Sequence, residues 1–399
     1  MLFLHLFFYF NPLSSQVTGY YLQNKTPTYA EIIQFYTSLE KTSDSIRIKT
    51  YGTTDVGLPL HLIIIDADRD FDPEMARKKN KTVLLINNGI HPGEPDGIDA
   101  CIQLCNDLFV AKTWQPDLSN LIICIVPVYN IDGCLNRNNN SRVNQNGPEE
   151  FGFRGNAQNY DLNRDFIKAD SRNAAAFATL FHTWRPDLFI DTHVSNGADY
   201  QHTMTLIATQ HNKLTPPLSA LLTEQIIPHI YTAMESTGFP MCPYVDPLKE
   251  IPDQGIVAFL ETPRFSTGYV ALFNTIGFMP ETHMLKPYKE RVDATSALLK
   301  IFISFANANA AEIIQAKNAA NDYALNTSDF PVHWKIDLTE KDSFLFHGFE
   351  AKYKQSAITG ADRLWYDRQA PYTKAIDYYN TYCADVIIEA PKTYIIPQT

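Results

Sequence analysis

The sequence predicts an α/β fold, in which helices cover a central β-sheet, followed by a small β-rich C-terminal domain. Between about residues 17 and 309, short apolar runs alternate with segments of helical periodicity, as in α/β proteins. Several runs are apolar at successive positions, which is typical of strands buried on both faces. After about residue 320 aromatic and polar residues alternate, as in VHWKIDL, and this change predicts the β-rich part.

The individual elements follow from the same patterns. The predicted strands cover residues 60–66, 82–88, 121–129, 187–194, 203–209, 255–262 and 276–282. The predicted helices cover residues 95–111, 170–184, 216–236 and about 287–318. The last helix opens with Pro287, a residue that is favoured in the first turn of a helix.

A length of 399 residues is compatible with one large and one small domain. We expect residues 17–319 to form the large domain and residues 320–399 the small one. Residues 1–16, MLFLHLFFYFNPLSSQ, contain an apolar run shorter than the roughly 20 residues that span a bilayer. They predict a signal peptide and a secreted or periplasmic protein, although the usual positively charged start is missing. A buried N-terminal strand is the alternative, and the final APKTYIIPQT has the pattern of a truncated sheet element.

Composition excludes some classes of partner. The chain has 33 Lys and Arg residues against 44 Asp and Glu residues, a formal net charge of −11. This balance argues against nucleic acid and anionic membranes as partners, and we expect no stable membrane insertion of the mature chain. The six cysteines form no C-x-x-C pair and show no metal-ligand spacing, so they do not decide the compartment.

The stretch NNGIHPGEPDG, residues 87–97, contains residues that a turn does not need. Glycine and proline suffice for the turn, yet His91 and Glu94 stand in it, directly after a predicted strand and before a helix. Ligands bind at the carboxyl ends of strands in open α/β sheets. Imidazole and carboxylate together suit zinc. A solvated turn is the alternative for this pair alone.

A catalytic zinc ion takes three protein ligands and leaves one position open. His193 is the candidate for the third ligand, because it ends the apolar run DLFIDTHV and so occupies the same kind of position as His91. His202, at the start of the next strand-like run, is the nearest rival. A histidine buried in the core is the alternative reading of His193.

The ordered motifs HPGE, DLNRDF and IDTHV resemble those of the zinc metallocarboxypeptidase family of the carboxypeptidase A type, over about residues 80–310. The resemblance implies a mixed β-sheet flanked by helices and one zinc ion held by His91, Glu94 and His193. It also implies that Asp161 accepts a hydrogen bond from the first histidine ligand, as is usual around metal-bound imidazoles. A helix or loop cap is the alternative role of Asp161.

The same resemblance implies a binding site for the substrate's C-terminal carboxylate. Asn163 and Arg164 match the family's carboxylate-binding pair, and a planar guanidinium suits a carboxylate. An ion pair between Arg164 and Asp165 is the alternative. Arg154 matches the arginine that faces the carbonyl oxygen of the bond to be cleaved, with Arg142 as a rival.

The general base is a glutamate at the end of a late strand in the resembling family. We favour Glu281, which lies shortly before the helix that opens at Pro287, over Glu261, which is followed by a further apolar stretch. His283 is positioned to orient the site or to act as a spare ligand.

The substrate pocket is the least specific part of the pattern. The family has a tyrosine on a mobile loop, for which Tyr269 and Tyr244 are both candidates, and Arg264 could line the same pocket. The polar segment 130–160 lacks periodicity and is too long for an ordinary connection, so we expect it to restrict the cleft.

Together these residues predict a zinc-dependent hydrolase that removes C-terminal residues from peptides, with Glu281 as the general base. The substrate would be a peptide or small amide with a free carboxylate. A deacylase of N-acyl amino acids and a peptidase of cell-wall peptides remain alternatives, because they need the same zinc and arginine residues. A catalytically silent peptide-binding surface protein is the third reading.

Overall fold

The computed structural model describes residues 17–391 and 393–397. The predicted signal peptide, residues 1–16, lies outside the described residues. The strands, numbered β1 to β14 in chain order, are Ile46–Thr53, Pro59–Asp66, Thr82–Asn87, Leu121–Val126, Leu188–Asp191, His193–Ser195, Met204–Ala208, Cys242–Pro243, Ile256–Val257, Ile276–His283, Asp329–Ile336, Asp342–Gln355, Asp362–Tyr379 and Tyr382–Glu389. The α-helices are Tyr29–Thr42, Pro73–Lys78, Asp96–Cys105, Ile131–Leu135, Arg172–Trp184, Pro216–Ala220, Ile227–Ser236, Ser266–Ala271, Tyr288–Ala308 and Ala310–Asn326.

The central sheet has the strand order β1-β2-β4-β3-β5-β10-β7-β8, with β6 paired to β10. Strands β4, β3, β5 and β10 are parallel to one another, whereas β2 and β7 run antiparallel to their neighbours β4 and β10. The predicted mixed sheet flanked by helices is therefore confirmed. Because β3, β5 and β10 are parallel neighbours, their carboxyl ends meet at one edge of the sheet.

Successive residues of the central strands pack on opposite faces of the sheet. In β3, Leu84 belongs to the apolar cluster that includes residues of the helix Tyr288–Ala308. The next residue, Leu85, belongs to the cluster around the helix Arg172–Trp184. This alternation explains why the predicted strands are apolar at nearly every position. Helices cover both faces and leave the strand ends as the place for polar side chains.

Two predicted elements differ most clearly from the structure, while the predicted strand 187–194 is divided into β5 and β6. The run 255–262 forms only the short strand Ile256–Val257, because the next residue, Ala258, makes its backbone hydrogen bonds with Tyr379 and Tyr382 of the C-terminal region. The predicted helix 287–318 is two helices that meet at an angle of 78°.

The bend between these helices lies at Asn309, whose side chain donates a hydrogen bond of 2.9 Å to the Phe305 carbonyl. Such a bond competes with the regular helical ladder. The second helix extends to residue 326, beyond the predicted domain boundary at 319. Within the described ranges no single helix is long and apolar enough to cross a membrane; only this bent pair, taken together, meets the length and composition.

The predicted β-rich C-terminal region is confirmed as two further sheets. Strands β11 and β14 pair antiparallel, and the long hairpin β12–β13 is joined by the short strand β9. The hairpin docks on the central domain through Arg368, which forms an ion pair of 2.6 Å with Asp199, and through Gln201, which donates to two hairpin carbonyls. The C-terminal sheets therefore pack directly against the domain that carries the polar strand ends.

Candidate metal centre

The turn after β3 places His91 and Glu94 at the carboxyl edge of the sheet. Gly89 has a φ angle of 66°, in the region that favours glycine. Gly97 lies so close to Thr192 that a Cβ atom there would be 2.0 Å from the threonine hydroxyl oxygen. The glycines of NNGIHPGEPDG thus serve the turn and the close packing beyond it, and they leave the histidine and the glutamate facing the strand ends.

His91, Glu94 and His193 converge on one point. Their candidate ligand atoms all lie within 4.8 Å of one another, and all three side chains are buried. The two oxygens of Glu94 lie 3.2 Å from Nδ1 of His91 and 3.1 Å from Nδ1 of His193. Two imidazole nitrogens and one carboxylate are a donor set that fits a catalytic zinc ion. The structure therefore brings together the three residues that the sequence predicts as ligands.

The rival ligand His202 lies elsewhere. Its Nδ1 is 3.0 Å from the carbonyl oxygen of Pro240, and its Nε2 accepts a hydrogen bond of 3.2 Å from the backbone N–H of His347. Both ring nitrogens are therefore bonded to backbone groups, and His202 supports the docking of the C-terminal hairpin.

Each histidine of the cluster is oriented by a carboxylate behind it. Nε2 of His91 lies 3.0 Å from Oδ1 of Asp161, as the sequence predicts, and Nε2 of His193 lies 2.9 Å from Oδ2 of Asp191. These bonds turn the Nδ1 atoms of both rings toward Glu94. Asp191 was not predicted, although its place two residues before His193 in IDTHV at a strand end was an available signal. Burial by itself would lower the pKa of His193. Asp191 and Glu94 outweigh burial and raise this pKa well above its ordinary value.

Glu94 is held as a carboxylate by its surroundings. Arg142 donates a hydrogen bond of 2.6 Å to Oε1 and one of 2.7 Å to the Val194 carbonyl, while the Val194 N–H donates to Oε2. Burial by itself would raise the pKa of Glu94. Arg142 and His91 outweigh burial and keep this pKa well below its ordinary value. Arg142, the rival of Arg154 for the position facing the carbonyl oxygen, is thus bound to the candidate metal ligand.

Arg154 lies at the mouth of the cluster and is about half exposed. It forms two hydrogen bonds, of 3.0 and 2.8 Å, with Oδ2 of Asp161. Its guanidinium nitrogen Nη1 is 3.2 Å from Nδ1 of His91 and 3.6 Å from Oε1 of Glu94. A cation therefore stands beside the candidate metal position, as the predicted role of Arg154 requires.

Of the two candidate bases, Glu281 lies at the cluster. It is paired in register with His193 between β10 and β6, and burial raises its pKa to about 8, against the opposing effect of His193. Glu261 instead forms a buried ion pair of 3.0 Å with Lys213 and accepts from the Gln210 N–H. No described contact links Glu261 to the cluster, so the geometry favours Glu281.

His283 braces the chain after Glu281 instead of offering a free ligand atom. Its Nε2 lies 2.8 Å from the carbonyl oxygen of Ala198, and its Nδ1 accepts a hydrogen bond from the Leu285 N–H. Burial lowers the pKa of His283 to about 4, so the ring is neutral near pH 7. Both ring nitrogens are bonded to backbone groups, and the orienting role considered for His283 stays a prediction.

The two tyrosine candidates occupy different regions. The hydroxyl of Tyr269 is 3.0 Å from His182, and its ring packs in an aromatic cluster with Phe166 and Phe181; the structure does not bring it to the metal cluster. Burial raises the pKa of Tyr244, and the carboxyl group of Glu281, the candidate base, is near enough to add to this effect. A cavity of about 770 Å³ extends from Tyr244 between β7 and the C-terminal hairpin.

Of the two predicted carboxylate-binding residues, Asn163 contacts a histidine of the cluster and Arg164 contacts Phe265. The Asn163 amide is buried, accepts from the Ser266 N–H at 3.1 Å, and lies 3.4 Å from Nε2 of His193. The guanidinium of Arg164 stacks 4.1 Å above the ring of Phe265. The alternative ion pair with Asp165 is not formed, since that carboxylate accepts hydrogen bonds from residues 170 and 171.

The fold and the cluster agree with a family comparison. Residues 32–215 match the family model described as zinc carboxypeptidase. The predicted resemblance is confirmed. The match contains the three candidate ligands together with Asp161, Asn163 and Arg164, and it ends before Glu281. No curated protein sequence matches the chain.

Solved structures show the same fold at low sequence identity. A metallo-carboxypeptidase from Burkholderia cenocepacia superposes with a TM-score of 0.52 and 15% identity, covering 71% of this chain and 70% of that protein. Bovine thrombin-activatable fibrinolysis inhibitor, in complex with tick carboxypeptidase inhibitor, superposes with a TM-score of 0.50 and 14% identity, covering 74% and 99% of the two chains. The chain thus has the fold of the zinc carboxypeptidases, extended by its C-terminal sheets.

Proposed function

We propose that this protein is a zinc-dependent carboxypeptidase, which hydrolyses the amide bond next to the free carboxylate of a peptide. The observation that carries the proposal is the convergence of His91, Glu94 and His193, with Glu281 beside them. A zinc ion held by these three residues would lower the pKa of water and polarise a carbonyl group.

Glu281 is suited to the proton transfers of the reaction. Its position opposite His193 puts it next to the metal cluster, and its raised pKa lies close to neutrality, where a group can both accept and donate a proton. It would take the proton of the attacking water and deliver a proton to the leaving amine. Arg154, at the mouth of the cluster, would stabilise the negative charge that develops on the carbonyl oxygen.

Arg164 is suited to hold the C-terminal carboxylate of the peptide. Its guanidinium is fixed by stacking on Phe265 and by a hydrogen bond of 2.7 Å to the Asn163 carbonyl. A fixed planar donor can bind a carboxylate through two hydrogen bonds, which would present only the last amide bond to the metal. A direct substrate contact of Asn163 stays a prediction, since its amide is occupied by Ser266 and His193.

The test combines metal content with hydrolysis. We expect the purified full chain to bind one zinc ion and to cleave blocked dipeptides with free C-termini, to lose this activity on chelation, and to regain it when zinc returns. Glu281→Gln should keep zinc and lower kcat by about 10³-fold. Glu261→Gln is the matched control, because it changes a buried glutamate that pairs with Lys213 away from the cluster.

Three results would contradict the proposal: a protein that takes up no zinc, unchanged turnover in Glu281→Gln, or hydrolysis of free and amidated C-termini at equal rates. Cleavage of N-acyl amino acids without cleavage of dipeptides would instead favour the deacylase reading. The zinc stoichiometry is measured by elemental analysis, independently of activity.

A further inference from the structure

The arginines around the candidate site fall into two groups. Arg142 pairs with Glu94 at 2.6 Å, and Arg154 pairs with Asp161 at 2.8 Å. Among the residues that the structure describes, Arg164 has no carboxylate partner; its guanidinium contacts the Phe265 ring and a backbone carbonyl instead.

Arg264 is the second unpaired guanidinium in this region. It is exposed, and its Nε donates a long hydrogen bond of 3.5 Å to the carbonyl oxygen of Arg164. No carboxylate lies within ion-pairing distance of it in the described part of the chain. Arg264 and Arg164 therefore lie close together beside Phe265, both without a neutralising anion.

The two guanidinium groups also affect each other electrostatically. Burial lowers the pKa of Arg164, and Arg154 and Arg264 add to this effect while Asp161 opposes it. Like charges that repel each other at one place are a cost to the free protein, and a bound anion would remove that cost. Such a cluster is unusual in a chain whose formal net charge is −11, where anionic partners are plentiful.

The charges that would face a substrate can be counted. Glu94 pairs with Arg142, Asp161 with Arg154 and Asp191 with His193. Among the described residues no carboxylate of the cluster, Glu281 included, lies within ion-pairing distance of Arg164 or Arg264. A C-terminal residue with a neutral side chain brings one carboxylate and matches only Arg164. A C-terminal glutamate or aspartate brings two carboxylates, one for each unpaired arginine.

We propose that the site prefers peptides with an acidic C-terminal residue: Arg164 binds the terminal carboxylate and Arg264 the carboxylate of the side chain. This inference rests on the proposed carboxypeptidase function and assigns the substrate class of that same site. The contact between the guanidinium of Arg264 and the side chain is charge-assisted and partly exposed to solvent, so it is weakened by salt.

The experiment uses the zinc-loaded full chain and two blocked dipeptides, benzoyl-Gly-Glu and benzoyl-Gly-Gln, whose last residues have the same shape and differ in charge. We expect kcat/KM to be about tenfold higher for the glutamate peptide, and this ratio to shrink in 0.5 M salt. Arg264→Gln should bring the ratio near one, and Arg264→Lys should restore part of it. Lys168→Gln is the matched control, because Lys168 is a nearby exposed cation that is already paired with Asp170; it should leave the ratio unchanged.

A ratio of one or less in the unmodified protein, or a ratio that survives Arg264→Gln, would overturn the inference while the carboxypeptidase function stands. A binding measurement tests the recognition of two carboxylates independently of the proposed hydrolysis. In Glu281→Gln, whose kcat is expected to be about 10³-fold lower, calorimetry should show N-acetylglutamate binding about tenfold more tightly than N-acetylglutamine. If the variant shows that preference while the unmodified zinc-loaded protein hydrolyses neither dipeptide, the recognition of two carboxylates is supported and the proposed reaction is rejected. Equal binding would reject the recognition.

Discussion

The two sides of the candidate site differ in how their charges are neutralised. On the metal side, which comprises His91, Glu94 and His193, every charged or titratable group has a close partner. On the carboxylate side, which comprises Arg164, Phe265 and Arg264, the two guanidinium groups have no described carboxylate partner. The first side contains the three candidate ligands, whereas the second would be neutralised by the carboxylates of the proposed substrate.

This difference has a physical origin in burial. The metal side lies inside the sheet edge, where an unpaired charge would cost several kcal/mol, so each group must be paired within the protein. The carboxylate side reaches solvent, where water can hydrate a guanidinium until a ligand replaces it. In the proposed site, ion pairs within the protein hold the metal ligands in position, whereas the guanidinium groups of Arg164 and Arg264 stay open to a substrate carboxylate.

On the metal side, we expect the largest loss of zinc affinity from a change of Glu94, because this residue contacts both histidines. Glu94→Gln replaces a charged zinc ligand with a neutral amide that zinc rarely uses, so we expect zinc affinity to fall by roughly 10³-fold, more than the effect of any supporting residue. Competition with a chromogenic chelator measures this loss. Zinc binding within a few-fold of the unmodified protein would show that the histidines alone hold the metal.

Glu94→Gln also leaves Arg142 without its carboxylate partner. Thermal unfolding of the zinc-free protein should therefore be recorded in parallel, so that a loss of fold is not mistaken for a loss of ligand. Glu261→Gln leaves Lys213 in the same situation away from the cluster. It should lower stability and keep zinc affinity.

On the carboxylate side, we expect the next largest effect, a loss of kcat/KM, from the removal of the Arg164 side chain. We expect Arg164→Ala to lower kcat/KM by a few hundredfold for peptides with a free C-terminus, because a charge-assisted contact to the substrate is lost. Peptides with an amidated C-terminus should be cleaved slowly by both proteins and to a similar extent. Equal losses on the two substrates would show that Arg164 supports the fold and not the carboxylate.

The two carboxylates behind the histidines of the metal side differ in burial. Asp191 is completely buried behind His193, whereas the side chain of Asp161 is 27% exposed behind His91. Loss of such an orienting partner weakens metal binding by roughly 10- to 100-fold, and we expect Asp191→Asn to lie at the upper end of this range and Asp161→Asn at the lower end. The zinc dissociation constants of the two variants, measured at the same pH, test this order. The reverse order would mean that burial does not determine the strength of the orienting bond.

The strand ends explain which parts of the site were predictable. His91 and His193 each follow an apolar run that could be read as a buried strand, and parallel strands bring such positions to one edge. The place of Asp191 two residues before His193 was an available signal, but the apolar pattern alone does not say which ring an aspartate inside a predicted strand will face. The binding of Arg142 to Glu94 was likewise invisible, since the polar segment that carries Arg142 has no periodicity from which to place it.

The fold was predictable to a similar degree and for similar reasons. The runs 82–88 and 121–129 were recognised because burial on both faces demands apolar residues throughout. The run 255–262 looked the same, but its backbone partners belong to the distant strand β13 and its neighbour β14. The bend at Asn309 depends on one side-chain hydrogen bond, which a pattern of apolar residues does not contain.

By itself the sequence determined the α/β class, the mixed sheet implied by its motifs, and the three residues that converge as candidate zinc ligands. These features depend on local periodicity and on the position of polar residues after buried strands, which are properties of the chain itself. The tertiary structure alone decided the pairing of the arginines, the position of Tyr244 near Glu281, and the docking of the C-terminal hairpin on the central domain. Those features depend on contacts between residues far apart in sequence, where many partners have the same chemistry and only the folded geometry selects one.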